Sequence, residues 1–282
     1  MTLSAVETEA LVARAVGGDR RALEDVVRAI QDDVYNLAMR MLGVRADAED
    51  ATQEICIQVV THLAQWRGEA SFRTWVWRIA TRHVLARKKN AVEEMTSFEA
   101  IEGMIQLGNA NPALPALTEA ELSVLETELR IACTEGMIQS LDRDHRVAWI
   151  LAEIFDMSSD DGAAALDIEP AAFRKRVSRA RERLGEWMQG HCGIVNPSAP
   201  CRCRRQIPVA LEVGAISASD LQFAGHPERS PATLGKRHLG TIADQLDRAA
   251  AVLCMHPDYA APEALLAKVK DVLSTRTVAL LD

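Results

Sequence analysis

The sequence predicts an all-α fold, with two small helical domains joined by an acidic linker and followed by a helical C-terminal extension. Apolar residues recur at alternating steps of three and four, which is the spacing of one buried helical face. Breaks rich in Gly, Pro, Asn or Ser separate these stretches, and no segment predicts a convincing strand. With 282 residues, the chain is long enough for two domains that each bury a core.

The first domain, residues 1–90, opens with two core helices. The first helix carries a single apolar stripe, formed by Leu23, Val27, Ile30, Val34, Leu37 and Met41. Gly43 closes it, and Asp47 is placed to cap the next helix, whose acidic first turn suits the positive end of the helix dipole. The inward face of that second helix is predicted at Ala51, Ile55, Val59 and Leu63.

The stretch from Phe72 to Lys89 predicts a helix that holds opened nucleic acid. It contains six Lys or Arg residues and no acidic residue, with aromatic rings interleaved, and it follows a polar loop at Gln65–Ser71. Basic side chains neutralise phosphates, while flat rings stack on unpaired bases. Trp75 and Trp77 are two positions apart on a helix and cannot share a face. At least one of them is therefore expected in the core.

An acidic linker is predicted at residues 91–120. Between Ala91 and Glu128 there are eight acidic residues and no Lys or Arg, a charge equal to the whole net charge of −8. The Gly, Asn and Pro residues between Met95 and Thr118 predict an extended or weakly ordered segment. The overall acidity therefore does not exclude nucleic acid, because two basic helices flank this linker.

The second domain, residues 121–190, ends in a predicted helix-turn-helix. A short helix through Ala165 leads into a tight turn, and Pro170 fits the first turn of the next helix, where its missing N–H costs nothing. That helix buries Phe173 and Val177 and turns its Arg and Lys side chains outward. Such a helix is placed to enter a major groove. A plain solvated basic face is the alternative.

In this order and at these separations, the segments resemble the extracytoplasmic-function (ECF) sigma factors of bacterial RNA polymerase. The resemblance covers roughly residues 10–188 and rests on five segments. They are LVARAVGGDRRALEDVV, VYNLAMRMLG, DAEDATQEICIQV, FRTWVWRIA and LDIEPAAFRKRVSRARERL. The resemblance implies sigma region 2 in residues 1–90 and sigma region 4 in residues 121–190. The sequence has no phosphate-binding loop, no paired carboxylates in an apolar setting and no Ser, His and Asp set beyond chance, so we do not expect an enzyme.

The resemblance also implies which residues meet which partner. The acidic helix docks on the largest subunit of core RNA polymerase through Asp47, Glu49, Asp50, Gln53 and Glu54. The melted minus-10 promoter element is held by Trp66, Arg67, Trp75, Arg78, Arg82 and His83. The minus-35 element is bound by Arg174, Lys175, Arg176 and Arg179, and region 4 also meets a flap of the second-largest subunit. A solvated helix start is the alternative for the acidic helix.

Two residues of the turn depart from the family pattern. Asp167 stands where the family usually has glycine, and Glu169 stands where it usually has a serine or threonine cap. The helix-turn-helix fold is still expected with these two residues. They make it harder to infer from the family which DNA base sequence this chain recognises.

The extension, residues 191–282, begins with three closely spaced cysteines, Cys192, Cys201 and Cys203, next to His191. Zinc is one alternative for this cluster, with His226, Cys254 or His256 as a fourth ligand. A redox-active thiol pair and an inert connector are the others. Cys56 and Cys133 lie on apolar stripes and are predicted as small core residues. Two or three further helices are expected, including one at Ile242–Leu253 and one opened by Pro262.

The extension begins with HCGIVNPSAPCRC and contains CMHPDYAAPE. In these segments it resembles the C-terminal extensions that regulate some ECF sigma factors, in place of or alongside a separate anti-sigma protein. No apolar run predicts a membrane segment or signal peptide, so we expect a soluble cytoplasmic protein. Two other classes fit parts of the sequence. One is a helix-turn-helix regulator that acts without polymerase, and the other is a metal or thiol sensor built on a sigma-like scaffold.

Overall fold

A computed structural model describes residues 5–111, 115–224, 249, 252–253 and 256–277. Across these residues the fold is all-α, as predicted, and no helix is both long and apolar enough to cross a membrane. The helices are α1 (Ala5–Val16), α2 (Arg20–Leu42), α3 (Arg45–Thr61), α4 (Phe72–Ala86), α5 (Ala91–Met95), α6 (Phe98–Ala110), α7 (Glu119–Gln139), α8 (Arg143–Trp149), α9 (Ser159–Leu166), α10 (Pro170–His191), α11 (Cys203–Glu212) and α12 (Glu263–Thr277). A 3₁₀ turn (Leu63–Gln65) follows α3, and a π-helical turn (Ile150–Ile154) continues α8.

The helices group into two compact units, and each unit combines segments that are distant from one another in the sequence. The first unit holds the described residues of Met1–Lys89, Met157–Phe173 and Tyr259–Asp282. The second unit holds those of Asn90–Asp156 and Arg174–Asp258. Parts of the C-terminal extension therefore belong to both units.

The core of the first unit is built on α2 and α3. Five of the six residues predicted for the α2 stripe are buried, and Leu23 is half-buried. Gly43 ends α2 with a φ of 69°, and its N–H donates to the carbonyl of Met39 at 2.8 Å. This left-handed conformation favours glycine, which has no Cβ to clash. The inward face predicted for α3 is likewise buried.

The extended linker predicted at Met95–Thr118 is wrong for most of its length, because α6 occupies Phe98–Ala110. Ser97 caps this helix by accepting a hydrogen bond from the N–H of Ala100 at 3.1 Å, and Phe98 and Ile105 are buried. Gly108 lies against α11, where a Cβ would come 2.0 Å from Gln206 Oε1. The glycine that suggested disorder thus permits a close helix contact.

In the second unit, α11 of the extension completes the core of α7. A buried cluster joins Leu122, Leu125 and Leu129 of α7 to Ile207 and Ala210 of α11. Thr118 begins α7 with a capping box that it forms with Glu121. This part of the extension is therefore integral to the unit that contains α7. The helix predicted at Ile242–Leu253 lies largely outside the described residues, although Ala249 and Leu253 themselves are buried.

A buried carboxylate fastens the chain that follows α11 to α7. The Glu128 side chain accepts hydrogen bonds from three consecutive backbone N–H groups, those of Gln222 (2.7 Å), Phe223 (2.9 Å) and Ala224 (2.6 Å). Glu128 is only 1% exposed, so these donors replace the water that its charge would otherwise hold.

Replacing Glu128 with glutamine is expected to lower the free energy of unfolding by about 1.5 to 3 kcal/mol, the range for a hydrogen bond to a charged group. The neutral amide has a single acceptor oxygen, and its NH₂ group points a donor at other donors. Chemical denaturation measures the change, with Glu126→Gln on the same helix as the control. An equal and small effect of both variants would show that the three hydrogen bonds contribute nothing.

Candidate nucleic-acid interface

The loop before α4 has a defined shape. Gly68 takes a φ of 74°, and the indole Nε1 of Trp66 donates to the carbonyl of Ala70 at 3.0 Å. Ser71 then caps α4 by accepting a hydrogen bond from the N–H of Thr74 at 3.0 Å. The loop therefore turns back on itself and presents the start of α4.

Three aromatic rings line up from this loop into α4. Trp66 meets Phe72 edge to face at a centroid distance of 5.5 Å, and Phe72 stacks against Trp75 at 5.8 Å. Phe72 is buried, whereas Trp75 is half-buried and keeps part of its surface outside. Trp77 is 1% exposed and belongs to the core. The two tryptophans thus divide as predicted, with one ring packed inside and one available for contact.

A cavity of about 510 Å³ lies between the loop and the first turns of α4. Its lining is Ala64, Gln65, Trp66, Arg67, Glu69, Ala70, Thr74, Trp75 and Arg78. The structure thus brings together four of the six residues predicted for the minus-10 element. Gln65, Glu69 and Thr74 were not among them. Pockets of roughly 300 to 1,000 Å³ hold small ligands, a range that suits one flipped base.

Helix α9 covers the side of α4 next to this cavity. Arg78 Nε donates to the carbonyl of Ala164 at 3.1 Å, and Thr81 Oγ1 donates to the carbonyl of Ala165 at 2.9 Å. Arg82 forms an ion pair with Asp167 at 3.0 Å. Cationic groups favour the carbonyl end of a helix, where unpaired C=O groups carry partial negative charge. Two of the basic side chains predicted to meet DNA are therefore engaged within this unit.

His83 does not line the cavity, and neither does Arg82. The imidazole lies against α3, with Nδ1 3.2 Å from Gln58 Nε2 and Nε2 3.1 Å from Glu54 Oε2. Burial lowers the pKa of His83 below its ordinary value; the Glu54 carboxylate opposes this shift, and Arg87 reinforces it. The ring is therefore mainly neutral at pH 7, and its position suits packing between α3 and α4.

The acidic residues predicted to bind polymerase lie along the first half of α3. Asp50 and Glu54 are exposed, and the side chains of Asp47, Glu49 and Gln53 are half-buried. The helix begins at Arg45, with Val44 as its N-cap and no side-chain cap, so the prediction that Asp47 caps it is wrong. Asp47 lies in the first turn, where a carboxylate still interacts favourably with the helix dipole.

The helix-turn-helix predicted from the sequence is formed by α9 and the start of α10. Ser158 caps α9 by accepting a hydrogen bond from the N–H of Asp161 at 3.0 Å, and α9 ends at Asp167, whose φ is 57°. Aspartate tolerates this left-handed conformation better than most residues, which explains how it replaces the usual glycine. A Cβ on Gly162 would come 2.3 Å from the ring of Phe173. Glycine is required where the two helices approach.

The basic residues of α10 fall into two groups. Arg176 pairs with Asp144 at 2.9 Å, and the guanidinium of Arg181 forms an ion pair with the buried carboxylate of Glu153. The exposed residues of the predicted minus-35 set are Arg174, Lys175 and Arg179. Arg176 is therefore paired within the second unit, while these three present positive charge to solvent.

The cysteine region contains one more thiol than predicted. Cys192 and Cys201 pair through an isolated backbone bridge, and Cys203 starts α11. Burial raises the pKa of Cys133 on α7, and the nearby thiols of Cys201, Cys203 and Cys192 raise it further. Cys133, predicted as a small core residue, therefore lies near enough to these thiols to be influenced by them. Burial likewise raises the pKa of Cys201 to about 12 and that of Cys203 to about 11, so these thiols are neutral.

Within the described part of the chain, no three His, Cys, Asp or Glu side chains are arranged to hold a metal ion. His226 and Cys254, two of the three predicted fourth ligands, lie outside that part. The third, His256, is buried with Nδ1 2.8 Å from Glu135 Oε1 and Nε2 2.5 Å from Thr134 Oγ1. Both of its nitrogens are therefore engaged by α7. Zinc binding at Cys192, Cys201 and Cys203 stays a prediction.

The chain matches known sigma factors over about two thirds of its length. The sequence model of the family Sigma-70 region 2 matches residues 26–92, which include α3, the loop and α4. The chain is 29% identical to the RNA polymerase sigma-H factor of Pseudomonas aeruginosa over 66% of its own length and 96% of that protein. It is 30% identical to the ECF RNA polymerase sigma-E factor of Escherichia coli K12 over 64% of its own length and 94% of that protein.

A solved structure titled CnrH in complex with the cytosolic domain of CnrY matches 64% of the chain and 95% of that protein, with a TM-score of 0.45 and 20% identity. The family model and the two sigma-factor matches identify a sigma-type transcription initiation factor. Because the alignment spans 94% of the sigma-E factor at 30% identity, the chain belongs to the ECF RNA polymerase sigma factors. These sequence matches leave about a third of the chain uncovered.

Proposed function

We propose that this chain binds core RNA polymerase and directs initiation at promoters that carry its minus-35 and minus-10 elements. The observation that carries the proposal is the cavity at the start of α4, where Trp66, Arg67, Trp75 and Arg78 converge. Their rings and guanidinium groups suit an unstacked base and its phosphate. No catalytic step is assigned, because a sigma factor acts by binding.

The cavity supports melting by capture of a flipped base. Extracting a base from a duplex costs a few kcal/mol in lost stacking and pairing. Stacking on an aromatic side chain returns roughly 1 to 3 kcal/mol per base. The partly exposed ring of Trp75 next to the loop supplies such a surface. The site would therefore capture a base that leaves the duplex while polymerase holds the chain, and would not melt a duplex alone.

The exposed basic residues of α10 fit the minus-35 element. Arg174, Lys175 and Arg179 lie in the first half of the helix that enters a major groove in helix-turn-helix proteins. Arginine and lysine donate to the guanine edge and to phosphates, so this group can both position the helix and read bases.

In the chain without partners, α9 lies against the side of α4 that is predicted to meet DNA. Arg78 and Arg82 bond to the end of α9, and a strand of DNA at the same side chains would replace these contacts. Because Arg82 and Asp167 are 64% and 67% exposed, their ion pair is worth at most about 1 kcal/mol and is readily exchanged for a phosphate contact. We infer that polymerase binding separates α9 from α4 before promoter DNA is held.

Replacing Asp50 with lysine is expected to weaken core polymerase binding by roughly tenfold or more. An interfacial charge pair couples by about 1.5 kcal/mol or more, and reversal adds repulsion. Asp50 is exposed on α3, so the folded state should tolerate the change. Titration of labelled chain with core enzyme at two salt concentrations measures the affinity.

Glu9→Lys is the matched control for that titration, because Glu9 is exposed on α1 and its replacement changes the net charge equally. If both variants bind the core enzyme with wild-type affinity, α3 is not the surface that polymerase contacts.

The C-terminal extension is proposed to regulate this activity, because its described parts pack into both units that carry the sigma surfaces. Core RNA polymerase and promoter DNA are the proposed partners. A separate anti-sigma protein stays a prediction.

A further inference from the structure

Four polar side chains of α2 contact residues near the end of the chain. They are Glu24, Asp32, Asn36 and Arg40; the last three follow one another at i, i+4 and share one face of the helix, while Glu24 lies about two turns earlier. Two of them, Asn36 and Arg40, are 5% and 0% exposed. Buried polar groups in mid-helix need partners. Here the partners come from residues 259–270.

Asn36 binds the backbone of Tyr259 from both sides. Its Nδ2 donates to the Tyr259 carbonyl at 2.5 Å, and its Oδ1 accepts from the Tyr259 N–H at 2.9 Å. The same amide donates to the carbonyl of Asp32 at 2.8 Å and accepts from Arg40 at 2.8 Å. An asparagine side chain has two donor hydrogens and two acceptor lone pairs. All four are satisfied, and two of the four depend on Tyr259.

The neighbouring contacts continue along the same helix. The guanidinium of Arg40 lies 5.0 Å from the centroid of the Tyr259 ring, which is 1% exposed. Asp32 accepts a hydrogen bond from the N–H of Ala261 at 3.0 Å, and Glu24 pairs with Lys270 at 2.8 Å. Backbone groups, an aromatic ring and a cation are thus each matched by one side chain of α2.

This arrangement has the features of a peptide-binding site. An amide that pairs with both backbone groups of one residue recognises an extended chain whatever its sequence, and a cation beside a ring selects an aromatic side chain. The segment 256–262 is irregular and leads into α12, which packs against both α2 and α3. α3 is the helix proposed to contact polymerase.

We propose that the polar face of α2 is a binding site for an extended aromatic peptide, that residues 259–262 fill it in cis, and that this segment together with α12 competes with core RNA polymerase. The competition rests on the proposed function, whereas the peptide site does not. Because α12 packs against α3, the helix assigned to polymerase under the proposed function, this packing and entry of polymerase at α3 exclude each other. The chain therefore binds polymerase after this segment leaves.

Two full-length variants test the site from its two sides. Tyr259→Ala removes the ring from the peptide, and Asn36→Ala removes the amide from α2. Hydrogen–deuterium exchange of the Ala261 amide, which donates to Asp32, is expected to become at least about tenfold faster in both. Asp25→Asn, an exposed change on α2, is the control and should leave it unchanged. If Asn36→Ala also speeds hydrogen–deuterium exchange of amides within α2, that variant has disturbed the helix itself. The result for Tyr259→Ala then decides the test.

Core polymerase titration with the same variants tests the competition. Tyr259→Ala is expected to bind core polymerase about tenfold more tightly than the wild type. In this variant the C-terminal segment no longer has to leave α2 before the chain can bind polymerase. Unchanged exchange at Ala261 would overturn the peptide site. Faster exchange with unchanged polymerase affinity would overturn the competition. Failure of every variant and of the wild type to bind the core enzyme would refute the proposed function and with it the competition, while the exchange result would still decide the peptide site.

Discussion

Replacing Glu93 with alanine is expected to lower the free energy of unfolding by about 3 to 5 kcal/mol, the cost of removing one partner from a buried ion pair. The Glu93 side chain is fully buried and contacts Arg143 at 2.5 Å and Arg146 at 3.0 Å. Arg146 is itself 1% exposed and also donates to the carbonyl groups of Gln139 and Leu141. Without the carboxylate, that buried guanidinium loses its countercharge.

Glu94→Ala is the control, since Glu94 is exposed on the same short helix. Chemical denaturation at pH 7 compares the two variants with the wild type. Equal, small losses in both would contradict the role given to the buried pair.

The same pair predicts how stability depends on pH. Burial by itself raises the pKa of Glu93, but the hydrogen bond from Arg143 and the charges of Arg146 and Arg143 outweigh it, so the pKa lies below its usual 4.5. A depressed carboxylate pKa stabilises the fold above the unfolded value, and this contribution is lost as pH falls through the folded value. The wild type should therefore lose more stability than Glu93→Ala as the pH falls below about 4.5.

Replacing Trp75 with alanine is expected to reduce promoter opening by roughly 5- to 150-fold, which corresponds to the 1 to 3 kcal/mol of one base stacked on an aromatic ring. Trp75 lines the cavity and is only half-buried, so its removal should cost the fold less than it costs the site. Fluorescence of 2-aminopurine in the minus-10 element reports the unstacked base in the polymerase complex. Core affinity should not change.

Trp75→Phe is the matched variant, because it keeps a flat ring at the same position and should retain most of the opening activity. Normal opening by Trp75→Ala would contradict the placement of the melting surface. A loss of core binding in the same variant would assign the residue to folding instead.

Much of the first unit follows from local sequence. The stripes of α2 and α3 repeat at helical spacing, so their burial could be predicted without knowing the partner. The cavity was predictable for a similar reason. Trp66 and Arg67 lie in a short loop immediately before α4, and Trp75 and Arg78 lie one turn apart near its start. Because these four residues are close in the chain, they are also expected to lie close together in space.

What could not be predicted depends on contacts between distant segments. Asn36 and Tyr259 are 223 positions apart, and no periodicity indicates that a mid-helix asparagine binds a backbone there. Glu93 looked like one charge of a solvated linker, yet two arginines more than forty residues away bury it. Cys133 had the spacing of a core residue, and its place beside three other thiols depends on where α11 packs.

Initiation from a defined promoter by core RNA polymerase with this chain as the only sigma factor tests the central claim most directly. Start sites are mapped by run-off transcription, with core enzyme alone and core enzyme plus Trp75→Ala as references. We predict one specific start site that requires the chain and weakens strongly in the variant. The absence of any chain-dependent start site across a genomic promoter library, together with unimpaired duplex binding by the chain alone, would contradict the account and favour a regulator that acts without polymerase.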